Sequence, residues 1–325
     1  ANGSVMTTGV NLSAITSPAN YTADFSASYN PRSLVDKAYV DNKVIGGGGL
    51  FTAGTGQYSA MNNLSGNNSA QAQYSFIGAG NNNIVSSNAQ YGTILGGTGN
   101  QIQNVPGTQP IHNMIASGST NIIQHNAYYS AILSGQGNTI DDRFSLILGG
   151  TANTIESSVI QSSYNLISNG SNNRIKTNSN YSAIIGGDNN TIESNVGASV
   201  ILSGNSNTIE SPVSNATTFD FISSGVSNRI KSNTRFSSII GGFNNTIESG
   251  LTGSVILGGI GITATQSNTV YMPNIAVTSL AGNGDRVMMV DASGNLKTAV
   301  TQALTDPWVL GGNNIALDPT AFIGT

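Results

Sequence analysis

The chain has no cysteine, so disulfides and thiolate metal sites are excluded and the redox compartment cannot be read from it. Charge is scarce: only 8% of its 325 residues are Asp, Glu, Lys or Arg, against roughly a quarter in ordinary soluble domains. The net charge of -4 comes with no basic cluster, which argues against nucleic acid as a partner. No apolar run reaches the length needed for a membrane-spanning helix. Residues 1–10 lack an initiator Met and a basic region with an apolar core, so they do not read as a signal peptide but as the middle of a longer chain. Glycine, by contrast, is abundant at 40 residues, Asn is about as common, and 38% of the chain is hydrophobic. That mixture is too apolar for disorder and suits β-structure with many tight turns.

An internal repeat organises the sequence. YSAIIGGDNNTIES at Tyr181, FSSIIGGFNNTIES at Phe236 and FSLILGGTANTIES at Phe144 are variants of one unit. It fits without gaps at starts 74, 91, 112, 129, 144, 164, 181, 198, 219, 236 and 253, with a step that is mostly 17 and ranges from 15 to 21. Position 4 is always Ile, as in Ile77, Ile184 and Ile239, and position 7 is always Gly, as in Gly80, Gly187 and Gly242. Position 10 is Asn except at Ile262, as in Asn83, Asn190 and Asn245. Position 12 is Ile or Val except at Ala264, as in Ile192 and Ile247.

These columns predict an all-β, parallel β-roll or β-helix solenoid of eleven coils over residues 74–264. Positions 1 to 5 alternate as a strand with position 4 inward, beside a small position 2. Gly at position 7 ends that strand with φ > 0. Asn at position 10 sits in a turn and bonds along the stack, and position 12 returns to the interior. Positions 1, 3 and 5 are often apolar too, as in Tyr129, Ala131 and Leu133, so the outer face asks for a cover. No helical segment is available to supply one, which predicts a homo-oligomer.

A longer period overlies the short one. Coils at 164, 181 and 198 recur at 219, 236 and 253, and longer connections fall at Gln103–Ile111, Glu156–Ser163 and Glu210–Thr218. Charges follow it: stacking would set Lys176 against Glu193 and Lys231 against Glu248. Upstream, residues 1–49 form a connector with one short helix at 31–45, and 50–73 a degraded first coil or cap. Downstream, 265–300 read as a connector with a β-hairpin around Asp291, and 301–325 as the start of a further module.

The repeat resembles the Ile-Gly-Gly, Asn-rich coils of trimeric autotransporter adhesin heads and related phage fibres. RSLVDKAYVDNKV, SNTVYMPNIAV, LAGNGDRVMMVDASGNLKT and WVLGGNNIALDPTAFIGT resemble connector motifs of tail-fibre proteins from phages and contractile injection systems of Bacteroidetes-type bacteria. The resemblance implies a homotrimer, other fibre or tail proteins as partners, and attachment to a host cell-surface glycan or protein. It places the chain in a virion tail or an extracellular appendage, and it assigns no receptor-binding residue.

Catalytic chemistry finds no support in the sequence. His112 takes the aromatic first position of its coil and His125 lies in a connection, neither with a nucleophile or carboxylate at motif spacing. There is no phosphate loop, and Asp141, Asp142 and Asp285 lack the oxygen partners of a calcium site. No cofactor or metal is expected. The competing readings are an outer-membrane adhesin head and a glycan-cleaving tailspike, which would need paired carboxylates in a groove.

Overall fold

In the computed structural model, the described residues are 51–62, 66–104, 112–156, 163–210, 216–274 and two strands at 286–290 and 296–300. The predicted helix at 31–45 and the module at 301–325 lie outside them, as does most of each long connection. The chain divides into two units, Ala1–Met272 and Pro273–Thr325.

The first unit is a parallel β-solenoid of about eleven turns with no helix among the described residues. Each coil has two short strands, at positions 3–4 and 11–12, such as Ala183–Ile184 and Thr191–Ile192. Strands of one kind stack in register on those of the coils before and after: Ala183 pairs with Leu166 and Val200, and Thr191 with Arg174 and Thr208. The first sheet, of positions 3–4, has fourteen strands, and the second, of positions 11–12, has twelve.

The core lies between the two sheets. Every Ile of position 4 is fully buried, and so is every position 12 side chain, down to Ala264. Burying an Ile is worth roughly 1.5–3 kcal/mol. One coil buries two such side chains and cannot offset the ordering of its own backbone, whereas a stack buries a continuous column.

Both ends depart from the repeat. At the start, Ala60–Asn62 and Ser69–Ala70 extend the two sheets in parallel, as a leading coil that begins at Tyr58. Phe51–Ala53 then pairs antiparallel with Ala60–Asn62, covering the free edge of the first sheet. At the far end a half-coil places Tyr271 where the inward Ile would stand, because Val270–Tyr271 pairs with Val255–Ile256. Its hydroxyl accepts the backbone N–H groups of Thr265 and Gln266 at 3.0 and 2.9 Å, donors that no further strand of the second sheet meets among the described residues.

In the second unit, Arg286–Val290 and Leu296–Val300 pair antiparallel, with Met288 opposite Thr298. This is the hairpin expected around Asp291.

Candidate interaction surfaces of the solenoid

The tight corner between the two strands holds the residues singled out from the repeat. Gly at position 7 has φ between 89° and 107° in all eleven coils. At Gly187 a side chain fails twice: the backbone is left-handed, and a Cβ would be driven into the carbonyl oxygen of Gly204 in the next coil. Asn at position 10 is fully buried in every coil that has it. Its Oδ1 accepts the backbone N–H of position 10 in the next coil at 2.9–3.1 Å throughout the stack. Its Nδ2 donates to the position 6 carbonyl of its own coil and to the Gly carbonyl of the next, as Asn190 does to Gly186 and Gly204 at 3.1 and 2.9 Å. Only a side chain with one acceptor and two donors fills this place. The ladder ends at Ile262, whose N–H still bonds Asn245 at 2.9 Å. Beyond it no stacked tight corner needs an amide among the described residues, so an apolar side chain suffices.

Position 2 carries a second internal ladder. Asn113, Ser130, Ser145, Asn165, Ser182, Ser199, Asp220 and Ser237 are enclosed, and each accepts the N–H of position 2 in the following coil. Asp220 is the one carboxylate in that column. Burial pushes its pKa up from 3.8 to about 6, against hydrogen bonds from the Ser237 N–H and the Thr234 hydroxyl that lower it. A second enclosed acid, Asp142, sits in the shortest return corner. It accepts bonds from Ser145, Ser163 and Asn165 at 3.1, 2.7 and 3.0 Å. Both acids are held as structural acceptors.

The return corner, from position 13 to the next position 1, corrects one expectation. The alternation of positions 1 to 5 predicts position 1 as the outer end of a strand. It is instead a left-handed corner residue, with φ of 45° to 58° at Tyr, Phe, His and Ala alike. Positions 2 and 4 still alternate inward, so the period-two pattern survives while the chain turns at position 1. Such a φ costs roughly 1–2 kcal/mol for a residue with a Cβ. Ring stacking offsets it: Tyr58, Tyr74, Tyr91, His112, Tyr129, Phe144, Tyr164 and Tyr181 form one pile with centroids 4.5–5.4 Å apart. Ala198 interrupts the pile, and Phe219 and Phe236 resume it. His112 is thus a member of the ring stack, and both its neighbours are Tyr.

The outer faces of the two sheets differ in chemistry. On the first sheet, position 5 exposes Leu95, Leu133, Ile185, Leu202, Ile240 and Leu257 by 37% to 49%, beside half-buried side chains at position 3 such as Phe76, Leu146 and Val200. On the second sheet, position 11 is Thr in six coils, and position 13 carries charge of both signs from Asp141 to Glu248, with Lys176 and Lys231 among acids. Lys176 meets Glu193 at 2.7 Å and Lys231 meets Glu248 at 2.8 Å, as stacking predicted. Arg174 pairs with Glu156 and Arg229 with Glu210, which adds two bridges the sequence reading did not anticipate. Among the described residues no cluster of three metal-ligating side chains occurs, and no helix is long and apolar enough to cross a membrane.

No family model matches the chain, and no curated protein matches it.

Proposed function

We propose that this chain is a structural and adhesive segment of an extended fibre, a homotrimer in a viral or virus-like tail that presents host-receptor binding. The observation that carries the reading is the two-faced solenoid. Eleven coils at about 4.8 Å each make a stiff element roughly 50 Å long. One long side of it exposes a continuous apolar strip while the other is polar and charged. A strip of that extent is an interaction surface rather than a solvated one. Copies that turn it toward a common axis bury it and leave the Thr- and Glu-bearing sheet outward. Three copies, rather than two, follows from the resemblance to trimeric fibres, as do the tail or appendage location and the other fibre proteins as partners.

The role is mechanical and adhesive, not catalytic. The enclosed acids, Asp142 and Asp220, are engaged in backbone and side-chain bonds inside the stack, and the half-buried Glu residues of the second sheet pair with Arg or Lys. Incubating the labelled chain with a panel of bacterial cells and their isolated surface glycans tests this. Retention on some cells, with the glycans left intact, is expected. Release of oligosaccharides would contradict the non-enzymatic reading, and retention on none would contradict adhesion.

A further inference from the structure

The corner column at position 8 changes character along the stack. In the first eight coils it is polar: Asn81, Thr98, Ser119, Gln136, Thr151, Ser171, Asp188 and Asn205. In the last three it is Val226, Phe243 and Ile260, bridged in parallel one above the other and exposed by 40%, 51% and 79%. Nothing in the tight corner requires this change. The Gly and Asn that shape the corner are the same in coils 219 and 236 as in the coils before them. Together with Ile240 and Leu257, these residues carry the apolar strip of the first sheet around its edge.

The opposite edge changes in the same coils. Position 1 there is Phe219 and Phe236, rings without a hydroxyl, whereas the eight coils before them carry Tyr five times and His once, with Phe144 and Ala198 each set opposite a polar position 8. Both Phe rings are at least half exposed and stack on each other at 5.3 Å. Coil 253 has Gly at this edge and its most exposed apolar side chain, Ile260, at the other. Both edges of one coil therefore shed their polar atoms together, only at one end of the solenoid. Copies related by rotation about an axis parallel to the stack bring the position 1 edge of one beside the position 8 edge of the next. This contact is heterologous and closes a ring.

We propose that the last three coils form an edge-to-edge clamp between copies of this chain: the Phe219–Phe236 edge of one packs on the Val226–Phe243–Ile260 edge of the next. The clamp rests on the reading that copies associate through the apolar face, and it adds where along the fibre they lock. Upstream, the polar side chains at position 8 leave the edges wet, so the seam is strongest at one end.

The absence of cysteine allows a direct test on the full chain. The double variant Phe236→Cys/Phe243→Cys puts thiols at opposite edges of one coil, too far apart to join within a chain, and Phe236→Cys alone is its control. Mild oxidation is expected to give covalent rings with the double variant and none with the control. Independently, Val226→Ser/Phe243→Ser/Ile260→Ser changes only exposed side chains and should raise the dissociation constant of the assembly by roughly tenfold or more. A chain that remains multimeric, forms no interchain disulfide and shows an unchanged dissociation constant would overturn the clamp alone. A chain that is monomeric at all concentrations would take down the apolar-face reading and the clamp with it.

Discussion

The two corners of each coil solve the same problem, reversing the chain, by different means. The tight corner never varies in length: Gly at position 7 and the residue at position 10 keep their spacing in all eleven coils. All variation in coil length falls in the return corner, which also takes the long connections. The difference follows from where the hydrogen bonds go. In the tight corner, Asn side chains bond forward to the next coil and backward to their own turn, so an extra residue would break the ladder for its neighbours too. In the return corner, stacked rings and an inward side chain two residues before the next start suffice. That inward place accepts Ala127, Asp142, Ser179, Val196 or Thr234. Repetition is strict where the same side-chain bonds recur in every coil, and loose where the bonds between coils, such as those of Asp142 with Ser163 and Asn165 or of Thr234 with Asp220, differ from one coil to the next.

The sharpest way to break this comparison is within one tight corner. Gly187→Ala is expected to cost about 3 kcal/mol or more, through left-handed strain and the clash with Gly204. Gly186→Ala next to it should cost under about 1 kcal/mol, since the nearest atom to its Cβ is Leu202 O at 4.0 Å. Urea denaturation of the pair checks both. Asn190→Ala removes two donated bonds and the acceptor of the Asn207 N–H, leaving buried groups unpaired. A loss of about 2–4 kcal/mol should appear in the same assay, with faster amide exchange at Asn207.

The return side gives a change of opposite sign. Between about pH 4 and 6, folded Asp220 binds a proton that the unfolded chain has already released. Stability therefore falls as pH rises through that window and is flat above it. Asp220→Asn should raise stability at pH 7 by about 1–3 kcal/mol and remove that slope. Asn113 and Asn165 hold the equivalent place and donate to the carbonyls of Ala127 and Ser179, so an amide fits at 220. Melting curves from pH 4 to 8 decide it, and a variant that keeps the slope would show that another group titrates. The smallest effect belongs to the outer polar face. Lys176→Glu exchanges the bond to Glu193 for repulsion and should cost about 1 kcal/mol in low salt, fading in 1 M salt.

Much of the solenoid was legible because its strongest constraints select a residue type. A left-handed Gly against a neighbouring carbonyl, an amide with two donors and one acceptor, and a fully buried Ile each leave a fixed letter at a fixed spacing. The pairing of Lys176 with Glu193 was legible for the same reason, since in-register stacking puts equal positions side by side. The position 1 corner was not. Left-handed backbone ordinarily selects Gly or Asn, as it does at Asn82, Gly137 and Asn189, but here stacking between coils offsets the strain and aromatic residues disguise the turn as strand. Tyr271 was missed for a related reason: its role depends on the Thr265 and Gln266 N–H groups, which its hydroxyl meets at the last strand of the second sheet among the described residues. The apolar column Val226, Phe243 and Ile260 was in plain view, yet it has meaning only once position 8 is known to be an exposed edge.

The central claim is that the apolar outer face of the first sheet is covered by further copies of the chain. Sedimentation equilibrium of the full chain over a wide concentration range tests it most directly. The account predicts a single species of three chains, persisting to low concentration. A species with the mass of one chain at every concentration would contradict it.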